Sequence, residues 1–178
     1  MMTKPRLFTW LGTSATEADF EHLYQVELPR IYNFFRYRVG DGPLAEDLTS
    51  ETFEKAWRNR DRYQRDLAAF STWLFTIAQR VAVDHLRKQR PAVSLDDVVH
   101  LSTDENVEAL AQQRADFKRL SMLFARLADR DRELVALKYG AGLTNRTIAG
   151  LTGLTESNVG VLLHRALQTL RAEWEVRP

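Results

Sequence analysis

Apolar residues recur three and four positions apart along most of the chain, and this period predicts helices rather than strands. From Asp19 the stripe Phe20, Leu23, Tyr24, Leu28, Ile31, Phe34 and Phe35 makes one long helix face, with Glu27 set among the apolar positions. Pro29 lies inside it, so a kink or break is expected near Glu27. Gly40-Asp41-Gly42-Pro43 supplies a turn. Beyond it, Leu48, Phe53, Ala56 and Trp57 lie on one side of a second helix, while Asp47, Glu51 and Glu54 gather on another. A third helix carries Phe70, Trp73, Leu74, Ile77, Ala78, Val81 and Leu86 inward and turns basic outward at Arg80, His85, Arg87, Lys88 and Arg90. Residues 19–90 therefore read as an antiparallel bundle of three to four helices, preceded by a leader over 1–18.

The pattern weakens over residues 91–113, which begin with Pro91 and carry five acidic residues and no basic one. This stretch reads as an acidic linker, part of which rests in a groove or forms a short helix. Helical spacing resumes from about Val107 through Leu110, Phe117, Leu120, Leu123, Phe124 and Leu127, with Asp129 as the expected cap of the next helix. Thr144 can cap a short helix through Ile148, Ala149 and Leu151, Gly153 makes a tight turn, and Thr155 can cap a last helix reaching about Trp174. Its inward positions are Val159, Leu163, Ala166, Leu167, Leu170 and Trp174. Two helices joined by so short a turn form a helix-turn-helix, placed in a second domain over residues 114–178. The expected fold is all-α, two small helical domains joined by an acidic linker.

Charge sharpens this division. The 178 residues carry a formal net charge of +1, yet Lys and Arg against Asp and Glu count 14 to 12 over residues 1–90, 0 to 5 over 91–113 and 11 to 7 over 114–178. Two mildly basic blocks flank an acidic connector, and their attraction predicts that the domains close on one another. So small an excess argues against tight free-standing DNA binding. There is no cysteine, which excludes disulfides and thiolate metal sites. No apolar run is long enough to span a bilayer, so neither membrane insertion nor secretion is expected and the cytoplasm is the expected compartment. The four histidines are scattered and no metal-binding or phosphate-loop motif occurs, so no cofactor, metal or catalysis is expected.

The chemistry that remains concerns nucleic acid. Arg58, Arg60, Arg62 and Arg65 interleave with Tyr63, followed by Phe70 and Trp73, a mixture suited to stacking unpaired bases while cations hold the backbone. The start of the last helix, as the second of a helix-turn-helix, would enter the major groove with Ser157 and Asn158 at base edges. Glu156, Gly160, Val161, His164 and Arg165 also point outward there.

The segments AEDLTSETFEKAW and FSTWLFTIAQRVAVDHLRKQR resemble region 2 of the extracytoplasmic-function sigma factors, and LTNRTIAGLTGLTESNVGVLLHRALQTLRAE resembles region 4. The resemblance implies a factor that binds core RNA polymerase and directs promoter recognition and transcription initiation. It places Asp47, Glu51, Glu54 and Trp57 against the clamp helices of the largest subunit. It also places Tyr63, Phe70, Ser71, Arg80, Asp84, Arg87 and Lys88 against the minus-ten element. Region 4 would read the minus-thirty-five element and touch the polymerase flap, and an anti-sigma factor would be a further partner. Where the family favours basic residues this chain has Gly160 and Leu162, both expected to remove phosphate or base contacts. Arg146 replaces a usual acidic residue and restores one backbone contact, and Arg80 stands where asparagine is common. Minus-thirty-five recognition is therefore expected to be weak or unusual. The competing reading is a helix-turn-helix transcriptional regulator whose first half dimerises or senses a signal; it should bind duplex DNA without polymerase.

Overall fold

A computed structural model describes residues 17–63, 69–88 and 107–176, and every element among them is helical. Helices α1 (Glu17–Val39), α2 (Gly42–Arg58) and α3 (Phe70–Lys88) form the first bundle, with a 3₁₀ turn at Arg60–Arg62. Helices α4 (Val107–Phe124), α5 (Asp129–Val135), α6 (Asn145–Thr152) and α7 (Glu156–Val176) form the second, and α5 runs on into a π-helical segment, Ala136–Gly140. Residues 1–16 of the expected leader and 91–106 of the expected linker lie outside the described residues. Helix α4 begins at Val107, within the stretch expected to be connector.

The turn between α1 and α2 forms as its residues dictate. Gly40 takes a left-handed φ of 79°, and Asp41 caps α2 by accepting from the Leu44 amide at 2.8 Å. Pro43 in the first turn has no amide to leave unsatisfied. Of the kink or break expected near Glu27, the break does not occur: α1 passes through Pro29 without interruption. Pro29 and Gln25, whose carbonyl loses its helical donor, are both on the exposed side, where water can replace the lost bond. The three helices close over Ile31, Phe34, Phe35, Leu48, Leu74 and Phe75, none more than 3% exposed. The rings of Phe34 and Phe75 meet edge to face at 5.9 Å.

In the second bundle, Leu134, Leu137, Ile148, Val159, Leu163 and Ala166 make the core. Thr144 accepts from the Thr147 amide at 3.1 Å, Gly153 sits at φ 72°, and Thr155 accepts from the Asn158 amide at 3.2 Å, so both expected caps and the turn form. Asp129 does not cap α5: Ala128 occupies that position, and Asp129 opens the first turn beside Arg38 and Arg132. Leu162 is buried. Its apolar character therefore serves the core, correcting the expectation that it stands where a phosphate contact was lost.

The two bundles pack on each other, and α1 is the shared wall. A methyl group at Gly140 would lie 2.7 Å from the Asn33 carbonyl oxygen and 3.2 Å from the Phe34 Cα, so only glycine lets the π-helical segment come this near α1. Around this contact Tyr37 stacks on Phe124 with ring centroids 5.3 Å apart, and the Arg36 guanidinium covers the Phe117 ring at 4.0 Å. Arg30 Nε donates to the Ala141 carbonyl at 3.0 Å, and Gln79 donates to Glu133 at 3.0 Å. Among the described residues, closure thus rests on ring packing, a backbone approach and hydrogen bonds, with a long Arg38–Asp129 ion pair at 3.7 Å beside them. Residues 91–106 of the connector, whose charge was expected to draw the domains together, lie outside the described residues.

Two predictions follow from this packing. Gly140→Val should cost about 1–3 kcal/mol by overpacking and enlarge the radius of gyration of the free protein in X-ray scattering; an unchanged radius would show that the contact does not hold the domains. Leu162→Arg, which buries a charge without a partner, should lower stability in thermal melts by about 3 kcal/mol.

Candidate nucleic-acid interface

The acidic face of α2 emerges as the helical period requires, opposite the buried Leu48, Thr52, Phe53 and Ala56. Asp47 and Glu54 are exposed and Glu51 is half-exposed. Glu51 pairs with Lys55 at 2.6 Å and Glu54 pairs with Arg58, each one helical turn on. Such exposed pairs contribute only about 0.3–0.5 kcal/mol each. Trp57 is half-buried at the edge of this face, its ring edge-on to Phe20 at 5.0 Å and covered by the Arg60 guanidinium at 4.1 Å. It ties the end of α2 to α1 and to the 3₁₀ turn.

That turn delivers Tyr63 to the start of α3. Tyr63 lies 5.5 Å from Phe70 and 5.2 Å from Trp73, and Phe70 lies 5.6 Å from Trp73, centroid to centroid. Phe70 is the buried member, whereas Tyr63 and Trp73 are half-exposed. Two partly exposed rings on a buried third, with the exposed Arg62 beside them, make a platform on which a flat base can stack. Arg65 lies outside the described residues.

Ser71 is turned elsewhere. Its hydroxyl accepts from Arg30 Nη1 at 3.2 Å and lies 3.5 Å from Glu27 Oε2. The same Arg30 nitrogen donates to both Glu27 carboxylate oxygens at 2.9–3.0 Å. Burial of Glu27 explains its place inside an apolar stripe: its charge is matched on the spot by Arg30. That anomaly in the stripe was the sequence signal for this network, whose reach to Ser71 and Ala141 no local pattern reveals.

Further along α3, Arg80, Arg87 and Lys88 are exposed, and Asp84 lies 3.8 Å from Arg87. Arg80 and Asp84 line a cleft of 430 Å³ whose opposite wall includes Leu151 of α6, so the second bundle stands over part of this face. On α7 and α6, Ser157, Asn158, Val161, His164, Arg165 and Arg146 are all exposed. The helix-turn-helix thus brings its candidate contacts to solvent, and Gly160 lies at their edge, where a methyl would meet Asn145 Nδ2 at an ordinary 3.6 Å. Among the described residues no cluster of His, Asp and Glu could hold a metal ion, and no helix is long and apolar enough to cross a membrane.

Comparison with known proteins agrees with this division. The profile of Sigma-70 region 2 matches residues 23–92, and that of Sigma-70 region 4 matches residues 117–170. The chain is 33% identical over 161 residues to the ECF RNA polymerase sigma factor BldN of Streptomyces coelicolor, covering 88% of this chain and 61% of that protein's length. It is 30% identical over 152 residues to the RNA polymerase sigma factor CarQ of Myxococcus xanthus, covering 85% of this chain and 87% of that one. The fold resembles that of the sigma factor RpoE solved in complex with the anti-sigma factor NepR from Bartonella quintana, with a TM-score of 0.69, 22% identity, and coverage of 90% and 99% of the two chains. Two matched regions in the same order, on two helical bundles, place this chain in the extracytoplasmic-function family of RNA polymerase sigma factors.

Proposed function

We propose that this sigma factor docks on core RNA polymerase through Asp47, Glu51, Glu54 and Trp57 and directs transcription initiation by reading the promoter with both bundles. The first bundle takes the minus-ten element. Tyr63 and Trp73 over Phe70 receive unstacked bases, Arg62, Arg80, Arg87 and Lys88 hold the backbone, and stacking energy offsets a few kcal/mol of unpairing per base. The second bundle presents the start of α7 to the minus-thirty-five major groove, with Ser157 and Asn158 at base edges, Val161 beside them, and Arg146, His164 and Arg165 toward phosphate. The protein performs no catalysis itself and works in the cytoplasm. An anti-sigma protein that covers these surfaces would keep it inactive.

The observation that supports this reading best is the ring platform of Tyr63, Phe70 and Trp73 beside Arg62, because a reader of intact duplex has no use for exposed stacking rings. Arg80 and Asp84 line a cleft shared with Leu151 of α6, and in this reading the bundles separate as the promoter binds along α3. Polymerase, holding each bundle on its own surface, supplies the energy for that separation.

Co-elution of the protein with bacterial core polymerase, with a fluorescent promoter fork in the same sample, should give polymerase-dependent fork binding. Asp47→Ala with Glu51→Ala should weaken polymerase binding about tenfold, two exposed charge contacts of up to about 1 kcal/mol each. A protein that ignores polymerase and shifts duplex DNA alone would instead be a transcriptional regulator. In the holoenzyme, Gly160→Arg should strengthen promoter binding and steepen its salt dependence by about one counterion; an unchanged slope would show that this position does not face phosphate.

A further inference from the structure

A second cleft, of 580 Å³, opens between the ends of α1 and α3 and the start of α5, well apart from the ring platform. Arg38 and Arg87 line it from the first bundle, and Asp129, Arg130 and Glu133 line it from the second. Arg38 is the unusual member. Its side chain is only 5% exposed, yet neither Nε nor Nη1 has a hydrogen-bond partner. Asp129 Oδ1 stands 3.7 Å from Nη1, beyond hydrogen-bond reach. The same oxygen lies 3.7 Å from Arg132, and the Asp129 side chain is 67% exposed, so it answers the buried charge poorly. Glu133 accepts instead from Gln79 at 3.0 Å.

The neighbouring Arg132 reports the same imbalance. Burial, and then the charge of Arg38, hold its guanidinium below the ordinary arginine value, and Asp129 offsets only part of this. Its Nε is likewise buried without a partner. A buried guanidinium with unfilled donors is costly, and the group that fills its planar fork best is an anion with several oxygens. The cleft has the volume of a small-molecule site, and the recessed position of Arg38 keeps the broad cylinder of a duplex away.

We propose that this cleft binds a small diphosphate-class anion, either inorganic pyrophosphate or the diphosphate of a nucleotide, with Arg38 as the buried anchor and Arg87 and Arg130 closing on it from the two bundles. Since its walls belong to both bundles, the occupied cleft stabilises their packed arrangement. If the bundles separate on polymerase, as the function proposed above requires, the same anion lowers polymerase affinity; binding to the free chain does not depend on that reading.

The test is calorimetric titration of the full-length free protein with pyrophosphate and, separately, with ADP, at low chloride. Saturable one-site binding with a raised melting temperature is expected. Arg38→Gln should weaken it about tenfold or more, the loss of one charged hydrogen-bonding group. Arg130→Ala, at an exposed rim position, should also weaken binding and decides the matter if the Arg38 variant does not fold. Tighter binding of ADP than of pyrophosphate identifies a nucleotide, tighter binding of pyrophosphate identifies the inorganic anion, and equal binding identifies the diphosphate itself as the recognised group. The proposal is overturned by no saturable heat up to about 1 mM pyrophosphate, by binding that survives Arg130→Ala, or by displacement with a duplex, which would make the occupant a nucleic-acid phosphate.

Discussion

The backbone of α1 lies so close to the π-helical segment that only hydrogen fits at Gly140, and the rest of the arrangement is built out from that contact. The wider turn of the segment buries Ala136 and Leu137 and leaves Ala141 beside Arg30, whose Nε it accepts. Arg30 in turn holds Glu27 and reaches Ser71 on α3. One close approach therefore fixes α1, α3 and the second bundle together. A bulkier residue would act on all three through backbone displacement, since the neighbours in question are main-chain atoms.

Polar groups at this junction select geometry more than they add strength. With Glu27 buried and Arg30 half-buried, their pair loses in desolvation part of what it gains in attraction, but its two oxygens and the serine hydroxyl match only one alignment of the helices. Strength comes from rings: Phe34 on Phe75, Tyr37 on Phe124, and Phe117 under Arg36. Such contacts keep their energy in salt, whereas charge attraction between exposed surfaces would be screened within about 8–10 Å. A packed form of this kind responds to competing surfaces and to ligands more than to ionic strength.

Local chemistry was legible in the sequence wherever it stayed local. Thr144, Gly153 and Thr155 announced the helix-turn-helix because caps and left-handed turns depend on a few neighbouring residues. The acidic face of α2 and the exposed first turns of α7 followed from helical period alone. Pro29 does not end α1, because its cost depends on whether water can reach one carbonyl, which is a property of the whole surface. Leu162 misled for a related reason: burial, which the period only samples, turned an apparent missing contact into a core residue. Arg38 and Ser71 were opaque, since their partners lie on other helices.

Helix α1 belongs to both cores, so the boundary between the two homologous regions does not coincide with a boundary between folding units. Cutting the chain after α3 would uncover Tyr37 and the backbone groove that Gly140 fills, and would strand Arg30 without its carbonyl. A fragment made along the sequence boundary would then carry a sticky aromatic flank that the intact protein hides. Its self-association would reflect the missing half and say nothing of the native protein's oligomeric state.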